Sequence, residues 1–387
     1  GTLTTLINAT GGTLSGNNVV YISGSLGGLS NSGVIKGRID NQSANNLTIT
    51  GGAAGTIGTL TGTSGIGTIN NTLSNLVFAS GNLLLNDRII ATGRTVSNTG
   101  ASLSLTSNIS ITGNYSQSAG TLSLTPGTSS LIVSGAANLS GGTVAASLSS
   151  TGNYLASSYT LVSGGASSSF SGATVSASTI TGLASSSSIS GNNLLLAIQN
   201  DYVGGSLTTL ANAASLTSAA TGLYVATTGT IGTVSNTGTL GGAQFGVNNR
   251  GTIGTFGNSG LITNSNFTAL WNQGSIGTLV NTGTITNNSW AILNSGTIGT
   301  ITNSGVISGT GVAVQNSAVI TVLNNSGTLS GQSAASGTFG TIINSGLIKG
   351  NINASGGTIG TIIGGSGGTV GTFTGSSGTS QGTIGVD

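Results

Sequence analysis

Residues 274–285 read Gly274-Ser275-Ile276-Gly277-Thr278-Leu279-Val280-Asn281-Thr282-Gly283-Thr284-Ile285. The pattern returns as Gly296-Thr297-Ile298-Gly299-Thr300-Ile301-Thr302-Asn303-Ser304-Gly305-Val306-Ile307. The same frame opens at Gly229, Gly251, Gly274, Gly296, Ala318, Gly337 and Gly357, shortening slightly in the last two steps. Two positions into the first six units stands a large apolar residue: Ile231, Ile253, Ile276, Ile298, Ile320 or Phe339. Five positions in come Val234, Phe256, Leu279, Ile301, Leu323 and Ile342, and eleven in come Leu240, Ile262, Ile285, Ile307, Leu329 and Ile348. Asn always holds the seventh place (Asn236, Asn258, Asn281, Asn303, Asn325, Asn344) and Gly the ninth (Gly238, Gly260, Gly283, Gly305, Gly327, Gly346). Working outward, the frame recurs from Gly205 (Leu207, Leu210, Asn212, Leu216), from Gly24 (Leu26, Leu29, Asn31, Gly33, Ile35) and from Gly1 (Leu3, Leu6, Asn8). Gly55 opens a looser copy with Ile57 and Leu60 inward.

A fixed period of about 22 residues is the mark of a solenoid. One unit holds three short strand-like pieces, for example 275–279, 284–286 and 290–293, each too short to stand as a sheet alone. Stacked as the faces of a parallel β-solenoid, with about 20–22 residues per coil, each pairs with its equivalent in the next coil, about 4.8 Å away. At about 22 residues per coil the chain makes roughly 17 coils, on the order of 80 Å. Columns of Ile, Val and Leu fill the interior, each fully buried aliphatic side chain contributing about 1.5–3 kcal/mol. Asn stacks as an amide ladder, with a second ladder at Asn249, Asn272, Asn294 and Asn316. The corner itself is expected to use left-handed backbone at Asn and positive φ at the following Gly. The spacing of three between inward positions predicts a Gly corner or bulge.

Composition agrees and excludes much else. The chain has 70 Gly, one Pro, six Lys or Arg and four acids, with no His, Cys or Met. Thiolate and imidazole metal sites, disulfides and His- or Cys-dependent nucleophiles are therefore absent. Helix-surface residues are scarce and β-branched residues abundant, which predicts an all-β chain. The net charge of +2 comes from scattered basic residues, so nucleic acid is not an expected partner. No apolar run reaches the length of a membrane-spanning helix, and no membrane insertion is expected. A first residue of Gly and the lack of Met point to a processed product or a piece of a larger one, with leader removal before secretion the simplest reading.

Three regions follow: solenoid repeats over 1–70, a less regular segment over 71–204, and the regular repeats over 205–387. In the middle region strands lengthen, as at 103–105, 121–124 and 131–134. Pro126 and Gly127 make a turn, and the Ser-rich run near 184–190 is a loop or strand edge rather than a linker. Gly113-Asn114-Tyr115-Ser116-Gln117, Gly120-Thr121-Leu122-Ser123-Leu124, residues 131–144 and Tyr159-Thr160-Leu161-Val162 follow in order. Residues 80–172 thereby resemble the junction segment of bacterial type V autotransporter passengers. The resemblance implies a right-handed β-helix, export through the outer membrane and a surface role such as adhesion. In that family the segment precedes a membrane β-barrel, whereas here regular repeats follow it.

No catalytic, cofactor-binding or metal-binding residue emerges. The acids are Asp40, Asp87, Asp201 and Asp387, far apart in the repeat frame, so the paired carboxylates of a glycan-cleaving β-helix are not expected. Asp40 near Arg38 and Asp87 beside Arg88 read as local ion pairs or solvated turns. Lys36 and Lys349 occupy ordinary repeat positions, although a Ser–Lys pair is formally open to each. The Asp of calcium-binding nonapeptides is missing, and the recurrent Gly-x-x-Gly lacks a phosphate-binding Lys. Trp271 shares its place with Asn248, Leu293 and Gln315, and an outward Trp there would stack on a neighbouring loop, a sugar or a partner chain. Thr rows (Thr230, Thr252, Ser275, Thr297 and Thr233, Thr255, Thr278, Thr300) leave ice binding as a remote reading. The first residues, from Gly1 to Leu6, and the last, from Gly382 to Val386, are both in the repeat frame without a charged cap. The function expected is a secreted or bacterial cell-surface structural protein, not an enzyme and without a cofactor. Its subunits would stack head to tail as a filament or fibre. A monomeric autotransporter-type adhesin passenger, touching glycan or a host surface, is the alternative, and a glycan-degrading β-helix enzyme is more remote.

Overall fold

A computed structural model describes residues 1–53, 55–354, 357–365, 371–375 and 384–385. The described chain is all-β, without helix, and its parallel coils make a β-solenoid of about 17 turns. It divides into two compact units. The first comprises Gly1–Leu148, Ser158–Thr179 and Ser185–Ala197; the second comprises Ser149–Ser157, Ile180–Ala184 and Ile198–Asp387.

In the second unit each repeat gives three strands per coil, such as Ser275–Asn281, Thr284–Asn287 and Trp290–Asn294. Pairing is parallel and in frame: Ile253 on Ile276 on Ile298, Phe256 on Leu279 on Ile301, Asn258 on Asn281 on Asn303. The apolar columns, including Ile262, Ile285 and Ile307, are wholly buried and run together as one core. Strand Thr252–Asn258 exposes Gly254 and Thr255 together between buried Ile253 and Phe256, which is the bulge that the spacing of three requires. Gly sits in that bulge because the coils approach closely: a Cβ on Gly254 would lie 2.6 Å from the Gly232 carbonyl oxygen.

The corner differs from the sequence expectation. No ladder Asn has positive φ, and the Gly residues two places on, from Gly238 to Gly346, do not either. Gly is required there by contact: a Cβ on Gly260 would sit 2.1 Å from Gly238 O, and one on Gly283 2.2 Å from Gly260 O. The Asn side chains are ladders as expected. Nδ2 of Asn212, Asn236, Asn258, Asn281, Asn303 and Asn325 each donates to Oδ1 in the following coil at 2.7–2.9 Å. The Asn249, Asn272, Asn294 and Asn316 column does the same at 2.7 Å. Every rung donates in one direction, so the ladder has a polarity, and its buried amides are satisfied by each other and by corner carbonyls.

The first unit is less regular. Its Asn82–Asn98 strand runs 17 residues, pairing with Gly58–Thr61 and Gly67–Asn70 on one edge and with Ser102–Ser104 and Ile109–Gln117 on the other. Its amide rungs are few: Asn8 donates to Asn31 at 2.8 Å and Asn41 to Asn71 at 2.6 Å. Two inward expectations fail here. Ile57 is 56% exposed, because Gly58 takes the inward place, where a Cβ would lie 1.9 Å from Asn31 O. Leu3 is 52% exposed, because it sits in the first coil with no described coil above it. The Ser-rich run is an exposed strand, Ser185–Ser190, and Gly127 turns the chain after Pro126 with φ 80°.

Candidate functional site

The acids do not converge. Among the described residues no three acidic side chains come together. Asp40 accepts from Arg38 Nη2 at 3.1 Å, from Gln42 Nε2 at 2.6 Å and from Asn70 Nδ2 at 2.8 Å, the local ion pair expected of it. Asp87 corrects the sequence reading. It alternates inward between Leu85 and Ile89, is wholly buried, and neither carboxylate oxygen completes a hydrogen bond. Arg88 points the other way and donates from Nε to Thr68 Oγ1 at 3.1 Å. Burial pushes the Asp87 carboxyl up to about 7, offset slightly by the facing Gly67 amide. Asp201 is also inward, stacked on Leu223, and accepts the Ala156 amide at 2.9 Å; burial raises its pKa and that amide lowers it. Asp387 lies outside the described residues. Lys36 is exposed on the outer face of the Val34–Asn41 strand, paired with Ser15 on one side and Thr61 on the other. Lys349 stands between Ser330 and Thr374 in a column in which Ser330 Oγ donates to Ser308 Oγ at 3.0 Å, beside a cleft of about 460 Å³ lined also by Thr310 and Gln332.

Two surfaces stand out instead. The first is the edge of the opening coil. Thr2–Leu3, Leu6–Asn8 and Thr13–Ile22 pair with Ser25–Leu26, Leu29–Asn31 and Val34–Asn41, and no described strand lies on their other edge. The coil's interior therefore opens as a mouth of about 510 Å³, lined by Leu3, Leu6, Val20, Ile22 and Leu26. Ile7 and Tyr21 are 68% and 61% exposed beside it. The last described strands, Ile359–Ile363, Thr372–Thr374 and Ile384–Gly385, likewise pair on one edge among the described residues. Of the terminal residues expected in frame, Gly382, Thr383 and Val386 lie outside the described set.

The second is an aromatic cluster on the second unit. Phe267 is its hub, with ring centroids 5.6 Å from Phe245, 5.7 Å from Trp271 and 5.5 Å from Trp290; Phe245 and Trp271 are 5.2 Å apart. Trp271 is half-buried against these rings and donates from Nε1 to Ser295 Oγ at 3.3 Å. Sequence reasoning singled out Trp271 but missed Phe267. The signal was present: the unit that runs from Gly251 to Gly274 is one position longer than the units on either side of it.

Comparison with known protein families, curated proteins and solved structures finds no match to this chain, and the likeness of residues 80–172 to autotransporter junctions gains no counterpart from it.

Proposed function

We propose that the chain is a structural, non-catalytic protein of the cell exterior, a β-solenoid that extends by end-to-end stacking of copies. The observation that carries this is the contact between coils. It repeats by translation and has a polarity, so each coil offers on one side what it accepts on the other. Among the described residues the opening coil presents such a side, a strand edge without a further partner around an apolar mouth. The coil that lies on this edge is, in this reading, the last coil of a second copy, joined in parallel. It would supply backbone pairing and apolar side chains over Leu3 and Leu6. Such a contact is head-to-tail and does not close, so it propagates as a fibre. Few charges and no thiol suit a material exposed to changing salt and oxidants. The reading is tested on the full chain from native material by electron microscopy and sedimentation over a concentration series. Fibres or end-joined particles are expected from the wild type, and particles of single length from the Leu3→Lys/Leu6→Lys variant, with a loss of association of at least about 100-fold from two charges placed in the joint. Wild-type particles of one chain length at the highest concentration would overturn it and leave the monomeric stalk.

A further inference from the structure

The longer unit calls for a physical account, because an insertion in a stacked coil must be accommodated on the surface. Aligning Asn264 with Asn287, and Thr268 with Trp290, places the extra residue within 265–267. The loop is fixed rather than loose. Asn264 Oδ1 accepts the amides of Asn266 and Phe267, both at 2.7 Å; Asn266 Nδ2 donates to Ala243 O of the preceding coil at 2.7 Å; and Asn287 Nδ2 holds Asn264 O at 2.8 Å. What this loop presents is Phe267, 37% exposed, at the centre of four rings contributed by three successive coils. Both tryptophans of the chain stand in the cluster.

The cluster continues along the axis. Trp290 pairs with Val312, which pairs with Ser333. Thr310 Oγ1 bonds Asn288 O, joining the coil of Trp290 to the next, and Thr310 opens the cleft of about 460 Å³ that Ser308, Ser330, Gln332 and Lys349 complete. From Phe245 to Lys349 the row crosses six coils, about 24 Å at the spacing of paired strands. It starts as ring faces and ends as neutral hydroxyls and an amide, with Lys349 as the charged group at its far end.

We propose that this row binds a neutral linear polysaccharide lying along the solenoid axis. A pyranose offers an apolar C–H face to the electron-rich face of an aromatic ring and a rim of hydroxyls to amides and hydroxyls. The row offers those two chemistries in sequence, and it is elongated, as a polymer requires. It lacks acids and carries a charge only at its end, which matches an uncharged ligand rather than a nucleic acid or a charged protein face. Rings held by a hydrogen-bonded loop are ordered before the ligand arrives, so little ordering cost falls on binding.

Because both tryptophans lie in the row, the protein's own tryptophan fluorescence reads the site directly. The full chain is titrated with cellohexaose, xylan, laminarin and mannan, and with alginate as an anionic control. A saturable emission change with at least one neutral glycan is expected, insensitive to salt. Phe267→Ala and Trp271→Ala should each weaken it by about tenfold or more, as loss of a central aromatic anchor does. Deletion of Phe267 restores the spacing of the neighbouring units and serves as a variant whose coil remains regular; it too should lose binding, with its melting checked by circular dichroism. The proposal falls if no neutral glycan changes the emission, if binding survives loss of Phe267, or if only alginate binds and salt abolishes it. It also falls if Phe267→Ala alters sedimentation while leaving glycan binding intact, which would make the row a contact between copies.

Discussion

The opening coils of the two units solve the same problem differently. In the second unit the Asp201–Val203 strand begins the stack, and Asn153–Tyr154 lies antiparallel on it. Tyr202 stacks on Tyr224 with rings 5.8 Å apart and 3° from parallel, Tyr154 packs 6.3 Å from Tyr202, and the Tyr202 hydroxyl donates to Ser150 O at 2.7 Å. Residues 180–184 complete the cover: Asn200 Nδ2 donates to Gly182 O and its Oδ1 accepts the Ala184 amide, both at 2.8 Å. In the first unit, residues 1–22 carry no such lid among the described residues. An antiparallel strand ends parallel stacking, because a further coil cannot pair across it in the repeat frame. The opening coil of the second unit thus carries a stopper, and among the described residues none lies on Thr2–Leu3, Leu6–Asn8 or Thr13–Ile22.

Removing the stopper is the strongest way to break the comparison. Tyr202 is 2% exposed and sits between two other rings. Tyr202→Ala should destabilise the second unit by about 3–5 kcal/mol, the usual effect of deleting a buried aromatic side chain. Tyr202→Phe, which removes only the bond to Ser150, should lower it by about 1 kcal/mol. Denaturant unfolding of both variants measures this. Equal, small effects would mean that the lid is decoration and that capping does not distinguish the two coils.

The inward acids extend the contrast. Asp201 receives an amide from the lid, whereas neither Asp87 oxygen completes a hydrogen bond. The folded state holds the Asp87 proton up to about pH 7, while the unfolded chain releases it near the ordinary 3.8. Folding therefore binds a proton. Stability is fullest below about pH 4, declines as pH rises through the interval, and is lowest above about pH 7. Across that range the loss is on the order of 4 kcal/mol by linkage. Asp87→Asn should flatten this dependence and raise the melting temperature at pH 8 more than at pH 4. A wild-type stability that rises from pH 4 to 8 would refute the buried, unpaired carboxylate.

The stack was legible in the sequence because each coil repeats its neighbour: Ile276, Leu279 and Asn281 announce their places through Ile298, Ile301 and Asn303. Asp87 was not, since adjacency to Arg88 suggested an ion pair, while strand alternation sends neighbours to opposite faces. Nor was the reason for Gly260: one composition signal serves both positive φ and close backbone approach, and only the 2.1 Å clearance to Gly238 O separates them. The stopper was illegible for a different reason. Tyr154 and Tyr202 stand far apart in the chain and outside any repeat, so no periodicity links them.

The smallest effect tests the joint itself. Asn281 accepts from Asn258 and donates to Asn303, both at 2.8 Å. Asn281→Ala therefore breaks a rung on both sides and should remove about 2 kcal/mol at any protein concentration. Asn8 donates to Asn31 at 2.8 Å but has no described rung before it. Asn8→Ala should therefore remove only about 1 kcal/mol from dissociated chains. If a second copy lies on the opening edge, the Asn31 amide oxygen that loses its donor is covered more deeply on assembly, and the cost of the substitution should rise as concentration increases. Melting curves of the two variants at low and high concentration make the comparison. A difference between them that stays constant over the series would show that Asn8 remains terminal, and with it that no coil of a second copy lies on the opening edge.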